Sequence, residues 1–131
     1  MDRGERMTVS RRQRDRGSSS LTMVLITPIF VVVAFMAFQA AMWAHARVEI
    51  RAVARNTAVL VARQDVAVDD ARASAAEAIG QTKLVVNPDV TVDSDGVTVV
   101  VSIRGRAAGI LRGTSVTISA TEALPIERHQ P

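Results

Sequence analysis

The sequence predicts a membrane-anchored α+β protein, with a long N-terminal transmembrane helix that continues into an exported helix and then a small antiparallel β-sheet of about three strands. Three observations predict this fold. No charged residue occurs between Arg16 and His45, the apolar pattern changes from helical to alternating after Gly80, and an Asp95-Gly96 pair stands between two valine-rich segments.

The uncharged segment is long enough to cross a bilayer. Residues 21–44 contain one strongly polar side chain, Gln39, and a membrane core requires about 20 apolar residues in helical form. Such a helix satisfies its own backbone hydrogen bonds in lipid. Pro28 lies in this segment, and we expect it to kink the helix, to lie in its first turns, or to be tolerated as many transmembrane prolines are.

The charges on either side predict the direction of the helix. Residues 1–16 contain six arginines and three acidic residues, whereas residues 46–131 contain ten basic and ten acidic residues. Because basic flanks are retained in the cytoplasm, we expect the N-terminus to be cytoplasmic, the helix to lie in the inner membrane and the C-terminal part to be exported. The arginines that set this topology are Arg11, Arg12, Arg14 and Arg16.

Composition argues against several classes of protein. All four aromatic residues precede His45, and the exported part has no net charge, so it lacks the basic face and stacking side chains of a nucleic-acid-binding domain. The chain has no cysteine, which excludes a disulfide scaffold. The two histidines, His45 and His129, are far apart in the sequence, and we expect no catalytic site, cofactor or metal.

A helical pattern continues after the membrane segment. Arg47, Arg51 and Arg55 recur every four residues and form a basic stripe, which either meets lipid phosphates or is a solvated helix face. A second helix is predicted from Val68 to about Ile79, with Asp69 or Asp70 as its N-cap and Gly80 as its stop.

Valine- and threonine-rich segments follow Gly80. The pattern predicts strands at residues 84–86, 89–94, 97–104 and 114–120, with a loop at residues 104–113. Asp95-Gly96 predicts a type I′ hairpin turn, which requires positive φ at both residues. Residues 93–96 also resemble half of a calcium loop, and Gly105, Gly109 and Gly113 a phosphate loop, but the remaining residues of both motifs are missing.

The residues before the apolar helix are the most informative motif. Arg16-Gly17-Ser18 places a glycine and small residues directly before the helix, whereas a signal peptide has its small residues after the apolar segment. We divide the chain into a cytoplasmic basic leader (1–17), the transmembrane helix (18–45), an exported helical region (46–80) and a β-rich domain (81–131).

These features resemble the type IV pilin-like proteins, and most closely the TadE-like family of the tight-adherence (Flp) pilus system. The resemblance rests on Arg16-Gly17-Ser18, residues 25–28, Gln39, residues 43–47 and the β-rich C-terminal part ending in residues 119–128. It implies a pilin-like fold and a non-catalytic minor pilin or pseudopilin, cut between Gly17 and Ser18 by a prepilin peptidase. Its implied partners are membrane lipid and other pilus or secretion-machine subunits.

One residue departs from the pattern of that family. Its members commonly have a glutamate five residues after the glycine, and this chain has Thr22, which cannot supply the charge. The alternative interpretation is a secreted or signal-anchored surface binding protein, because Ala44-His45-Ala46 has the form of a signal-peptidase site.

Overall fold

A computed structural model of the chain describes the backbone of residues 5–127 and the side chains of residues 21–127. It contains a long helix, a second helix and a three-stranded antiparallel sheet, which confirms the predicted α+β fold. The chain divides between Phe38 and Gln39 into two compact units. The second unit contains the sheet and its core.

Helix α1 (Glu5–Gln64) is continuous over 60 residues. Pro28 lies inside it and not in its first turns, and it removes one backbone hydrogen bond from the ladder. In the preceding turn the Thr27 hydroxyl donates to the Met23 carbonyl at 2.7 Å. The helix ends before Asp65, whose φ of 55° is the left-handed conformation common just after helix C-termini.

Helix α2 (Val68–Thr82) differs from its predicted limits at both ends. Its N-cap residue is Ala67, and Asp69 and Asp70 lie in the first turn, where their charges favour the helix N-terminus. Gly80 does not stop the helix, which ends at Thr82 and has Lys83 as its C-cap residue with φ 53°. Burial of Ile79 holds the last turns against the core and outweighs the roughly 1 kcal/mol that a glycine costs within a helix.

The sheet is an antiparallel meander in the order β1-β2-β3. Its strands are β1 (Val85–Ser94), β2 (Thr98–Ala107) and β3 (Val116–Pro125). The predicted segments 84–86 and 89–94 therefore belong to one strand. Strand β2 continues to Ala107, so the predicted loop at 104–113 is wrong in its first residues and the β2–β3 loop comprises residues 108–115.

A β-bulge explains why the two parts of β1 read as separate segments. Val86 pairs with Arg106 and Asp89 with Arg104, so β1 has one extra residue between these pairs. Val85 and Val90 would otherwise face opposite sides of the sheet, since successive strand residues alternate. The extra residue places both on the buried face.

The core of the second unit is aliphatic. Alternate residues of β1 and β2 point inward, and α1 and α2 contribute buried residues at three- and four-residue spacing. The largest fully buried side chains are Ile50, Ile79, Ile103, Val92, Val99 and Val101. The part of α1 from Ala46 onward and one face of the sheet thus contribute to one hydrophobic core, which supports a sheet that has no aromatic residue of its own.

Two polar contacts define the direction of α1 relative to β3. Gln39 bonds to Thr114 before β3, and Arg63 pairs with Glu127 after it at 3.7 Å. The helix between these contacts is about 36 Å long and the extended chain about 43 Å. This part of α1 and β3 therefore run side by side. We call the end at Gln39 the near end of the second unit and the end at Arg63 its far end.

Candidate functional site at the membrane junction

The predicted processing and topology residues belong to α1. The backbone of Gly17 and Ser18 is helical, and so is that of the four topology arginines, Arg11, Arg12, Arg14 and Arg16. The side chains of Arg11, Arg12, Arg14 and Arg16 lie outside the described residues. Thr22 stands at the position where TadE-like and other pilin-like proteins commonly have a glutamate, and it is exposed.

The apolar part of α1 is exposed throughout. From Leu21 to Phe38 no residue is buried, and the exposed fractions of its large side chains include 73% at Met23 and 71% at Phe30. Among the described residues, one helix is long and apolar enough to cross a membrane, and its apolar window is not covered by the rest of the chain. A bare apolar surface of this length is typical of a segment that lies in lipid.

Burial begins at Gln39. Its side chain is 7% exposed and binds the β2–β3 loop through both of its polar atoms. The amide nitrogen donates to Thr114 Oγ1 at 2.9 Å, and Oε1 accepts the Ile110 backbone N–H at 3.1 Å. The single strongly polar residue of the apolar segment therefore ties the first turn of α1 in the second unit to the β2–β3 loop of the same unit.

Gly109 permits this contact. A Cβ atom built on Gly109 would overlap Thr114 Oγ1 and the Gln39 amide nitrogen. Sequence reasoning missed the role of both Gln39 and Gly109. The only signal in the sequence was the presence of a glutamine, with two donors and an acceptor to satisfy, in an apolar segment.

The residues after Gln39 pack into the core of the second unit. Trp43 is half-buried against the core, and its indole N–H is buried without a hydrogen-bond partner. Ala46 is 1% exposed. A signal-peptidase cut after Ala46 would sever α1 where its side chains join the core, so the burial of Ala46 argues against this form of the secreted alternative.

The basic stripe of α1 is exposed. Arg47, Arg51 and Arg55 all point away from the core, whose α1 residues include the neighbouring Ala46, Ile50 and Ala54. This position is compatible with both of its interpretations, the lipid-phosphate contact and the solvated face.

The Asp95 region is a capped hairpin turn. Asp95 Oδ1 accepts the backbone N–H groups of Val97 at 2.8 Å and Thr98 at 2.6 Å. These hydrogen bonds lower the pKa of the Asp95 carboxyl from its ordinary value, the bond from Thr98 having the largest effect. Positive φ occurs at Gly96 (81°) and not at Asp95, so the predicted type I′ turn centred on Asp95-Gly96 is wrong. The Asp95 N–H donates to the Thr98 carbonyl, which makes Gly96 and Val97 the two central residues of the turn.

The three glycines at four-residue spacing have separate positions. Gly105 lies within β2, where its missing side chain leaves room for Val85, and Gly113 has a φ of 91° in the β2–β3 loop. Neither forms part of a phosphate cradle. Among residues 21–127, no group of three or more histidine, cysteine, aspartate or glutamate side chains is placed to hold a metal ion.

These features define a class of protein, a small α+β unit carried on one N-terminal apolar helix. A comparison with protein families finds a match to the apolar helix and the first part of the second unit. The family model described as TadE-like protein matches residues 17–59, which are 43 of the 131 residues. Over this segment the chain is similar to TadE-like proteins, which confirms the resemblance read from the sequence.

The matched segment contains Gly17, Thr22, Gln39 and the basic stripe, and it ends within α1. No curated protein matches the chain significantly, and no solved structure does. TadE-like proteins are related to the tight-adherence pilus and are generally non-catalytic. The match therefore relates this chain to that pilus system, and the apolar part of α1 is a candidate membrane anchor.

Proposed function

We propose that this protein is a minor pilin-like or pseudopilin-like assembly subunit of a tight-adherence (Flp-type) pilus or a related secretion system, and that it acts without catalysis. The observation that carries the proposal is the TadE-like match over residues 17–59, which includes the small-residue junction and the apolar helix. Its partners are membrane lipid and other subunits of the pilus machinery. A secreted or signal-anchored binding protein is the alternative.

The orientation follows from the arginines before the helix. Residues 1–16 contain six arginines, whereas the first turns after the apolar segment contain three, at positions 47, 51 and 55. This imbalance favours a cytoplasmic N-terminus in the inner membrane and an exported second unit. A cysteine placed at the exposed Val97 tests it, since a membrane-impermeant thiol reagent should label Val97→Cys in cells whose outer membrane alone has been opened.

A prepilin peptidase is proposed to cut between Gly17 and Ser18. The site lies within α1, so cleavage requires the backbone to unwind locally, which glycine and serine favour more than helix-forming residues do. The substitution Gly17→Leu should block cleavage, because a branched side chain replaces the hydrogen atom that faces the protease. N-terminal sequencing of the mature protein should find Ser18 in the wild type and an uncut chain in the variant.

Gly80→Leu is the matched control. It makes the same exchange in α2, where a Cβ atom meets nothing within 4 Å, and it should leave the start at Ser18 unchanged. Intact N-termini in both the wild type and Gly17→Leu would contradict processing and favour a simple signal anchor. A mature start at Arg47 would favour the secreted alternative.

Thr22 limits the type of subunit that we propose. A carboxylate at this position in pilins pairs with the N-terminal amine of a neighbour, an attraction that low dielectric strengthens. Threonine has no charge, so we place this subunit in the membrane or at the pilus base. Thr22→Glu should raise the amount of the protein in sheared surface pili, and an unchanged amount would support a role confined to the base.

A further inference from the structure

The β2–β3 loop exposes two large apolar side chains at its tip. Ile110 is 42% exposed and Leu111 is 56% exposed, and the next residue, Arg112, is also exposed. The loop is held in shape by hydrogen bonds from the Thr114 backbone N–H and hydroxyl to the Leu111 carbonyl, at 3.2 and 2.8 Å. Its tip is thus an ordered apolar projection with a cation beside it.

The loop is fixed to the helix at the residue where the bare apolar segment ends. Gln39 binds Ile110 and Thr114, and its neighbour in the chain, Phe38, is the last residue of the exposed stretch that begins at Leu21. Eighteen helical residues are about 27 Å long, close to the thickness of about 30 Å of a bilayer hydrocarbon core. If residues 21–38 span the core, Gln39 and the attached loop lie at its boundary.

The charges on the second unit also differ between its two ends, with cations near the β2–β3 loop and acidic residues at the opposite end. The exposed cations at its near end include Lys83, Arg106 and Arg112, and α1 adds the exposed Arg47 and the half-buried acidic Glu49 on the same half of the unit. Acidic residues occupy its far end: Asp93 and Asp95 at the β1–β2 turn, and Glu127, which pairs with Arg63. Asp89 lies further along β1 from the near end, opposite Arg104. A cationic end with an apolar tip complements a phosphate headgroup layer over acyl chains.

We propose that the β2–β3 loop is a second membrane contact, in which Ile110 and Leu111 enter the lipid interface and Arg112 binds lipid phosphate. The proposal depends on the membrane anchor and not on pilus assembly. With the helix and the loop both in lipid, the second unit is held at the bilayer by two points. Gln39 joins them and is itself shielded from the hydrocarbon by its bonds to the loop.

The absence of cysteine from the chain allows a direct test. The full-length variants Leu111→Cys and Val97→Cys, both exposed, are labelled with an environment-sensitive fluorophore and reconstituted in phosphatidylethanolamine and phosphatidylglycerol vesicles. Val97 is the matched control, because β2 separates it from the loop by about 33 Å. Nitroxide-labelled lipid should quench the label at residue 111, and aqueous iodide on both sides of the bilayer should quench the label at residue 97.

Two results would overturn the lipid assignment. Equal iodide quenching at the two positions would place the loop in water, and protection of residue 111 from both quenchers would place it against protein, such as a second copy. Charge reversal tests the phosphate contact separately. When Arg112→Glu is combined with the labelled Leu111→Cys, nitroxide lipid should quench the label much less. Arg72→Glu, on the exposed side of α2, should leave the quenching unchanged. Equal quenching in the two variants would refute the role of Arg112.

Discussion

Gln39 shows how one polar residue in an apolar segment acquires a structural role. A buried amide must satisfy its donors and acceptor, and Gln39 does so with Ile110 and Thr114. The sequence indicated that Gln39 was unusual, but it contained no pattern that paired it with a loop 71 residues away. Long-range partners of this kind depend on the packing of the whole unit.

We predict that Gln39→Ala loosens the β2–β3 loop. Loss of the acceptor leaves the Ile110 N–H without its partner, which typically costs about 1 to 3 kcal/mol. Hydrogen exchange at the Ile110 amide should accelerate by about 10- to 100-fold, since each 1.4 kcal/mol is a factor of ten. Gln81→Ala in α2, where the glutamine is exposed, is the control and should leave this rate unchanged. The same rate in both variants would disprove the anchoring role of Gln39.

Gly105 and Gly80 are a second residue-scale test because the same exchange should have opposite effects at the two positions. Gly105→Ala introduces a methyl group that overlaps Val85 Cγ1 on the buried face, and overpacking of this kind costs about 1 to 3 kcal/mol. Gly80→Ala adds a methyl group in open space within α2 and should stabilise the protein by about 0.5 to 1 kcal/mol. Denaturant unfolding of the detergent-solubilised chain measures both; destabilisation by Gly80→Ala, or none by Gly105→Ala, would contradict these positions.

At the scale of elements, the types of helix and strand were predictable, whereas several of their ends were not. The alternating pattern identified both hairpin strands, since one face of the sheet is buried. The end of α2 at Lys83 and the bulge at Asn87 use positive φ values of 53° and 50°. A lysine in the sequence does not predict a left-handed backbone, because tertiary contacts determine where the helix ends.

The β1–β2 turn yields a prediction about acid. Hydrogen bonds from Thr98 and Val97 lower the pKa of the folded Asp95 carboxyl below its ordinary value of 3.8, which we take for the unfolded chain. The stability contributed by the carboxylate is therefore present above the unfolded pKa and is lost as the pH falls through the lower folded pKa. Asp95→Asn should reduce the loss of stability with acid, as measured by thermal unfolding over this pH range. Asp93→Asn, two residues earlier and exposed, should lose stability with acid as the wild type does. Equal pH profiles of the two variants would contradict the capping role of Asp95.

At the scale of the whole molecule, the charge-free segment and the change of period after Gly80 define the architecture. The structure joins these parts through α1, whose exposed portion is apolar up to Phe38 and whose buried portion forms core from Ala46 onward. The small residues at the junction predict a processing site, which stays a prediction, whereas no sequence pattern predicted the attachment of the loop to Gln39. This attachment depends on the registers of β2 and β3, which no local pattern in the loop determines.

Co-purification tests the proposed pilus function most directly. Full-length protein with a C-terminal affinity tag is recovered in mild detergent from cells that make the pilus, and an unrelated single-helix membrane protein with the same tag is the control. We predict that the secretion ATPase complex or the membrane platform of the tight-adherence pilus is recovered with this protein and not with the control. Recovery of a folded, membrane-inserted protein without any component of that machinery would contradict its assignment as a pilus assembly subunit.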